Sequence, residues 1–207
     1  GAVPPPDPDV AVVARARQAN LTKPPGSRGR LEDLSVWVSS CQGGCPPRQF
    51  ERARVVVFAG DHGVAAAGVS AYPAEVTAQM VYNFLRGGAG INVLAKHVGA
   101  KVIVVDIGVA EDLKHDPRLI IKKVNYGTKN MASGAAMTRA EAVKAIETGI
   151  EIFNAELKNG IDILGTGEMG IGNTTAASAI TACFTNKSVE EITGRGAGLN
   201  DLGLKNK

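Results

Sequence analysis

The segment at residues 161–175, with the sequence IDILGTGEMGIGNTT, constrains the fold more than any other part of the chain. It begins with a short apolar run, which is typical of a buried strand, and continues into a loop that contains four glycines. Two threonines then open an alanine-rich stretch that is typical of a helix. A strand that passes through a tight loop into a helix is the repeating unit of a parallel sheet with helical connections.

The glycine loop of this segment is suited to hold an anion. Glycines let backbone N–H groups approach a ligand closely, and a helix N-terminus carries partial positive charge. The loop lacks the Lys-Ser/Thr pair of a P-loop, and its glycine spacing is not that of a dinucleotide-binding loop. Glu168 in its middle is better suited to accept ribose hydroxyls or to face developing positive charge. These features predict a site for a sugar monophosphate; a tight packing turn is the alternative explanation of the glycines.

The remainder of the chain alternates strand-like and helix-like segments. Apolar runs predict strands at residues 54–59, 101–106, 119–124 and 161–164. Thr138 and Glu141 have the spacing of a capping box and predict the start of the longest helix. The apolar face of that helix repeats at intervals of three and four residues: Ala142, Ile146, Ile150, Phe153 and Leu157.

This alternation predicts an α/β fold with a parallel sheet covered by helices on both faces. Ahead of it, a proline-rich lead-in is followed by two short helical segments, at about residues 9–20 and 31–38, and Asp9 is expected to cap the first. Ligands of such sheets bind at the carboxyl ends of the strands. The glycine loops of this chain lie at that edge.

Polar residues near the first predicted strand form a second candidate group. Asp61 and His62 follow the strand directly, where they are expected either to bind a ligand and order neighbouring loops or to satisfy loop backbone as a structural pair. Tyr72, Gln79 and Met80 suit a flat aromatic ligand, because a tyrosine stacks and a methionine adapts its shape. A methionine on a helix is more often part of the core, and that alternative stays open for Met80.

Two further residues have two interpretations each. Asp106, at the end of the second predicted strand, is expected to cap the following loop or to bind hydroxyls. Arg195, between two glycines, is expected to contact a phosphate or to lie exposed on the surface.

Composition excludes several classes of function. A net charge of +3 and an aromatic content of 4% provide neither the basic surface nor the stacking platforms of a nucleic-acid-binding protein. No apolar run approaches the roughly 20 residues of a membrane span, and residues 1–6 do not resemble a signal peptide, so the cytoplasm is expected. Cys41 and Cys45 have the closeness of two metal ligands, but the other candidates, Cys183, His62, His97 and His115, are widely spread, so neither a disulfide framework nor a structural zinc site is predicted.

Four strings, taken together, resemble one family of enzymes. They are TKPPGS at residues 22–27, FAGDHGV at 58–64, GEMGIGNTT at 167–175 and GRG at 194–196. They are similar to those of the nicotinate-nucleotide–dimethylbenzimidazole phosphoribosyltransferases, which make α-ribazole phosphate for the lower ligand of cobamides. The order of the strings is that of the family through nearly the whole chain. Arg28 and Ala197 depart from the leucine and threonine usual in the family.

The resemblance implies a reaction without a cofactor or a metal ion. Phosphoribose would move from nicotinate mononucleotide to 5,6-dimethylbenzimidazole, giving α-ribazole 5'-phosphate and nicotinate. Glu168 would face the ribose and the reacting carbon, and Tyr72, Gln79 and Met80 would line the benzimidazole pocket. The other residues expected to bind substrate are Asp61, His62, Gly167, Gly170, Gly172, Asn173, Thr174, Thr175 and Lys207.

The resemblance also implies an architecture and an oligomeric state. The family fold is a Rossmann-like large domain with a small domain built from both chain ends, and it forms a homodimer. Residues 1–53 would be the N-terminal helical segment of the small domain, and residues 54–207 would be the large domain.

Members of the family are considerably longer than this chain, and their catalytic glutamate lies in a later segment that matches nothing here. We therefore expect a fragment or a truncated protein, inactive on its own. The alternative to the enzyme is a shortened, non-catalytic module that binds a nucleotide or a benzimidazole; the length of the gene product separates the two.

Overall fold

The computed structural model describes residues 3–207 and divides into two compact units, one ending at Glu51 and the other beginning at Arg52. The first unit contains α1 (Pro8–Ala19) and α2 (Arg30–Gln42). The carboxylate of Asp7 accepts hydrogen bonds from the backbone N–H groups of Asp9 and Val10 and caps α1. The expectation that Asp9 is the cap was wrong, because Pro8 already occupies the first helical position, where a missing N–H is tolerated. The second helix is longer than the predicted residues 31–38.

The second unit contains a four-stranded sheet in which all strands are parallel. Its strands are β1 (Ala53–Gly60), β2 (Lys101–Gly108), β3 (Leu119–Ile121) and β4 (Ile163–Met169). Their order across the sheet is β3-β2-β1-β4. The chain thus moves outward from β1 to β3 and then crosses back to the other side of β1. The carboxyl ends of β1 and β4 form a topological switch point, the usual place for a ligand in an open α/β sheet.

Helices follow β1, β3 and β4, whereas a loop joins β2 to β3. They are α3 (Val76–Arg86), α4 (Gly90–His97), α5 (Arg139–Lys158), α6 (Asn173–Thr185), α7 (Val189–Ile192) and α8 (Asp201–Asn206), with a 3-10 turn at Gly63–Ala67. Among residues 3–207, no helix combines the length and the apolar character needed to cross a membrane.

The core lies on both faces of the sheet, because successive strand residues point to opposite sides. On one face Val57 and Val104 pack with Val81 and Phe84 of α3. On the other face residues such as Val56 pack with α5 through its Ile152. The predicted parallel sheet with helices on both faces is confirmed.

Helix α5 begins where it was predicted to begin, but the face that it buries is not the apolar face that was predicted. The Thr138 hydroxyl accepts from the Glu141 N–H at 3.2 Å, and the Glu141 carboxylate accepts from the Thr138 N–H at 2.7 Å, which confirms the capping box. The residues of this helix that are buried are Thr148, Ile152 and Glu156. The apolar face that begins at Ala142 is different from this stripe, and its Ile146, Ile150, Phe153 and Leu157 side chains are exposed.

Candidate functional site at the carboxyl ends of two adjacent strands

The site is built where β1 and β4 end side by side. The two strands pair in parallel register, with Phe58 opposite Glu168 and Ala59 opposite Met169. The segments that follow, which contain Asp61 and His62 on one strand and Gly170 to Asn173 on the other, therefore leave the sheet together. The structure thus brings Asp61 and His62 next to the glycine loop that was singled out in the sequence.

Gly170 lets these two segments approach more closely than any other residue would. A Cβ atom at this position would lie 2.0 Å from the Gly60 carbonyl oxygen and 2.9 Å from Cδ2 of His62. Next to it, the Ile171 N–H donates to the Thr77 hydroxyl at 3.1 Å, and Thr77 on α3 is completely buried. Gly172 then turns into α6 with a φ of 90°. The glycine loop is shorter than predicted, because Gly165, Gly167 and Glu168 lie within β4. The part that remains a loop, Gly170 to Gly172, is anchored to β1 and to α3.

Glu168 is held in place by the first residue of α6. The side-chain amide of Asn173 donates to Oε1 of Glu168 at 3.0 Å. The glutamate side chain is otherwise exposed and lines a cavity. A carboxylate with one fixed oxygen and one accessible oxygen can accept hydroxyl hydrogens of a sugar or face a positive charge.

His62 lies against Gly170 and is neutral near pH 7. Burial lowers the pKa of the imidazole from its ordinary value of 6.5, and the nearby carboxylates of Glu168 and Asp61 oppose this shift. Burial is the stronger influence. A neutral imidazole can donate one hydrogen bond and accept another.

Asp61 connects the end of β1 to two loops. Its carboxylate Oδ2 accepts from the Ala110 N–H at 2.8 Å, and its carbonyl accepts from the Thr128 N–H at 3.0 Å. The predicted ordering of neighbouring loops is therefore present. The second carboxylate oxygen, Oδ1, is buried and has no hydrogen-bond partner in the described part of the chain. Asp61 lines two cavities, where this oxygen can accept a hydrogen bond from a ligand or from water.

Two cavities open on either side of Asp61 and His62. The cavity next to α5, with a volume of about 450 Å³, is called the α5-side cavity. The cavity next to α3, with a volume of about 430 Å³, is called the α3-side cavity. Besides Asp61 and His62, the two share Tyr126, Gly127 and Thr128. Glu168 and Phe58 line the α5-side cavity, so a carboxylate and an aromatic ring meet there.

Lys207 joins the start of α6 to a second glycine loop. Its ammonium donates to the Thr174 hydroxyl at 2.7 Å and to the Gly194 carbonyl at 3.1 Å. Burial lowers the pKa of Lys207 from its ordinary value. In the same loop, Arg195 is engaged by the Asp201 carboxylate and by the Leu199 carbonyl. The cation closest to the start of α6 in these contacts is therefore Lys207.

The three residues predicted to line an aromatic pocket lie outside the α5-side and α3-side cavities. Tyr72 and Gln79 are exposed, and Met80 packs against the core between α3 and the sheet. For Met80 the contacts agree with the core alternative. Its role at a ligand, like the roles of Tyr72 and Gln79, stays a prediction.

Several residues of the site were missed in the sequence. Nothing in the sequence indicated the role of Thr77, because a threonine within an amphipathic helix looks the same whether or not it binds a distant loop. Tyr126, Gly127 and Thr128 could have been found, since they follow the third predicted strand at the same edge of the sheet as Asp61. Within residues 3–207, no group of three or more His, Cys, Asp or Glu side chains is arranged to hold a metal ion.

Comparison with known proteins identifies the family. A phosphoribosyltransferase family model matches residues 3–207. The nicotinate-nucleotide–dimethylbenzimidazole phosphoribosyltransferase of Desulforudis audaxviator is 59% identical over 94% of this chain and 55% of its own length. The protein of the same name from Chloroflexus aggregans is 56% identical over 97% of this chain and 57% of its own. The chain thus spans a little over half the length of these relatives.

A solved structure agrees with these matches. The crystal structure of CobT from Thermus thermophilus superposes with a TM-score of 0.88 at 47% identity, over 96% of this chain and 60% of that one. Sequence and fold point to the same group of proteins. The chain belongs to this phosphoribosyltransferase family, which includes the nicotinate-nucleotide–dimethylbenzimidazole enzymes.

Proposed function

We propose that the protein containing this chain transfers phosphoribose from nicotinate mononucleotide to 5,6-dimethylbenzimidazole. The products would be α-ribazole 5'-phosphate and nicotinate, in the biosynthesis of cobalamin. The observation that carries this proposal is the pairing of Glu168 with Asn173 at the joined ends of β1 and β4, beside a glycine loop that opens a helix. The names of the relatives support it.

Glu168 is the residue that would stabilise the positive charge formed during the reaction. When the bond between the ribose C1' and the pyridine nitrogen breaks, positive charge develops on C1' and the ring oxygen. A fixed carboxylate stabilises this charge, and Asn173 keeps the carboxylate oriented without neutralising it. A neutral His62 helps, because a positive charge on its imidazole would offset the charge of Glu168 and weaken the stabilisation of the positive charge on C1'.

The phosphate of the donor would bind at the start of α6. This helix has thirteen residues, and the partial positive charge at its start suits an anion. Thr174 and Lys207 already lie together there, so the ammonium and the hydroxyl can both turn to a phosphate oxygen. A phosphate bound at this point would place the ribose close to Glu168, which contacts the first residue of α6.

The chemical step exchanges one C–N bond for another. A nitrogen of the benzimidazole attacks C1' from the face opposite the pyridine, and the bonding electrons return to the pyridine nitrogen, which loses its positive charge. The configuration at C1' changes from β to α. The proton on the other benzimidazole nitrogen passes to a base, and the resemblance assigns this base to a glutamate that has no match among the 207 residues. The contribution of the described residues is alignment and charge stabilisation.

We further propose a homodimer in the cytoplasm. The family resemblance supports the dimer. All three cysteines, Cys41, Cys45 and Cys183, are free thiols, as is usual in a reducing compartment.

The experiment that tests the function uses the complete gene product. It is incubated with nicotinate mononucleotide and 5,6-dimethylbenzimidazole, and α-ribazole 5'-phosphate is quantified by liquid chromatography with mass detection. Product formation that falls about 100-fold or more in Glu168→Gln supports the proposal. Binding of the nucleotide without any product would instead favour the non-catalytic binding module. Glu147→Gln, at an exposed position on α5, is the matched control and is expected to keep full activity.

A further inference from the structure

A buried ion pair lies behind the cavities, outside the residues assigned to the reaction. Asp106, at the end of β2, is 1% exposed, and its carboxylate lies 2.9 Å from the ammonium of Lys123, which is 14% exposed. The other carboxylate oxygen accepts from the N–H groups of Gly108 and Val109 at 3.0 and 2.9 Å. Asp106 thus caps the loop after β2, one of the two roles expected for it.

Lys123 holds the same loop from its far end. Besides Asp106, its ammonium contacts the carbonyl oxygens of Val109 and Glu111, the latter at 3.1 Å. It also lies 4.7 Å from the centre of the Tyr126 ring, in a cation–π arrangement. The Lys123 ammonium therefore contacts groups near both ends of the segment from residue 107 to residue 126 and holds those ends in place.

This segment supplies a wall of both cavities and a hydrogen bond to Asp61. The Ala110 N–H, which lies between the two carbonyls held by Lys123, donates to Asp61 at 2.8 Å. Tyr126 lines both cavities, and so do the two residues that follow it. The Thr128 N–H donates to the Asp61 carbonyl at 3.0 Å. A shift of the Lys123 ammonium would therefore alter both hydrogen bonds to Asp61, the one from Ala110 and the one from Thr128.

We propose that Lys123 and Asp106 are positioning residues that fix the walls of the two cavities and thereby set the affinity for the substrates. The proposal rests on the proposed function. A buried ion pair is weak evidence for a stabilising role, because the desolvation of two charges offsets much of their attraction. The number of contacts that Lys123 makes with one loop points instead to control of the shape of that loop.

The test compares three variants of the complete gene product. Lys123→Met removes the ammonium and leaves Asp106 unpaired, so it is expected to lower stability as well as affinity. The double variant Asp106→Asn with Lys123→Met leaves no unpaired buried charge, and the asparagine oxygen can still accept from Gly108 and Val109. Lys122→Met is the matched control, since the neighbouring lysine pairs at the surface with Glu151.

Two measurements are made on each variant. Steady-state kinetics give KM and kcat for both substrates, and hydrogen exchange with mass detection gives the protection of the amides of Ala110 and Thr128. For the double variant we expect the thermal midpoint to lie above that of Lys123→Met, because an unpaired amide costs less to bury than an unpaired carboxylate. We also expect the KM of at least one substrate to rise about tenfold, kcat to change little, and exchange at the two amides to rise about tenfold. Lys122→Met is expected to change none of these.

The outcomes separate the two proposals. A stable double variant with unchanged KM overturns the positioning role, and so does unchanged exchange at Ala110 and Thr128. If the wild type makes no α-ribazole 5'-phosphate, the proposed function fails, and the exchange measurement alone then decides whether the ion pair positions the segment.

Discussion

Gly170→Ala is expected to damage the site and the fold together, because Gly170 lies where two backbone segments meet. The added Cβ would lie 2.0 Å from the carbonyl oxygen of Gly60. Ordinary close contacts between carbon and carbonyl oxygen in sheets are about 3.3 Å, so the shortfall is about 1.3 Å. The oxygen belongs to the backbone at the end of β1 and cannot rotate away. The strand ends must therefore separate.

The size of the effect follows from this displacement. Overpacking typically destabilises by about 1–3 kcal/mol, and a clash with backbone belongs at the upper end, at about 3 kcal/mol. For a unit of this size, such a loss lowers the thermal midpoint by about 6–12 °C. A misplacement of about 1 Å at a reacting centre lowers the rate about 100-fold. We therefore expect kcat/KM to fall about 100-fold at a temperature where the variant is still folded.

The assay combines thermal unfolding, followed by circular dichroism, with the transferase assay on the complete gene product. Gly165→Ala is the matched control on the same strand, because its Cβ would meet a Val55 methyl group at 3.4 Å, an ordinary contact. The control is expected to keep its midpoint within about 2 °C and its activity within a few fold. If Gly170→Ala behaves like Gly165→Ala in both measurements, the close approach of the two strand ends is not what holds the site.

Three further predictions concern neighbouring residues. Asn173→Ala is expected to lower kcat about tenfold, less than Glu168→Gln, because it removes the hydrogen bond that orients the carboxylate and leaves the charge; equal losses would contradict this division. Gly196→Ala is expected to raise the KM for nicotinate mononucleotide, since at a φ of 55° its Cβ would lie 2.8 Å from the Thr174 hydroxyl and 3.2 Å from the Lys207 ammonium, and isothermal titration calorimetry would show the same loss of affinity for the nucleotide. His62 has a pKa below its unfolded value, so its contribution to stability is present above about pH 6.5 and is lost as the pH falls through the folded value. Urea unfolding between about pH 5 and 8 is expected to show less decline at acid pH in His62→Gln than in the wild type.

Much of the fold could be predicted because it depends on local patterns. Valine-rich runs such as residues 54–59 match β1 closely, and the capping box at Thr138 is present at the start of α5. The start of α1 was misplaced by two residues, because Asp7 and Asp9 are both good caps and only the position of Pro8 decides between them. Most predictions at this level succeed because the interactions are between residues close in sequence. The miss at α1 is also local, since a proline favours the first helical position and Pro8 therefore points to Asp7 as the cap.

The site was predicted in part, for the same reason. Glu168 and Asn173 lie five residues apart, so their pairing is already encouraged by the glycine loop between them. By contrast, the bond from Ile171 to Thr77 joins residues 94 apart, and the ion pair of Lys123 with Asp106 depends on how β2 and the end of β3 meet. The hydrophobic periodicity of a sequence does not predict such long-range contacts.

What the sequence by itself determined was the class of fold, the glycine loop that opens α6 and the family to which the strings belong. These follow from hydrophobic period, from the backbone freedom of glycine and from residue identity. Only the tertiary structure decided that β4 lies beside β1, which brings His62 to Gly170 and creates a cavity on either side of Asp61. It also decided that Met80 packs against the core and that the apolar face of α5 is exposed. The physical reason is that strand order and the packed face of a helix are set by contacts between segments far apart in the chain.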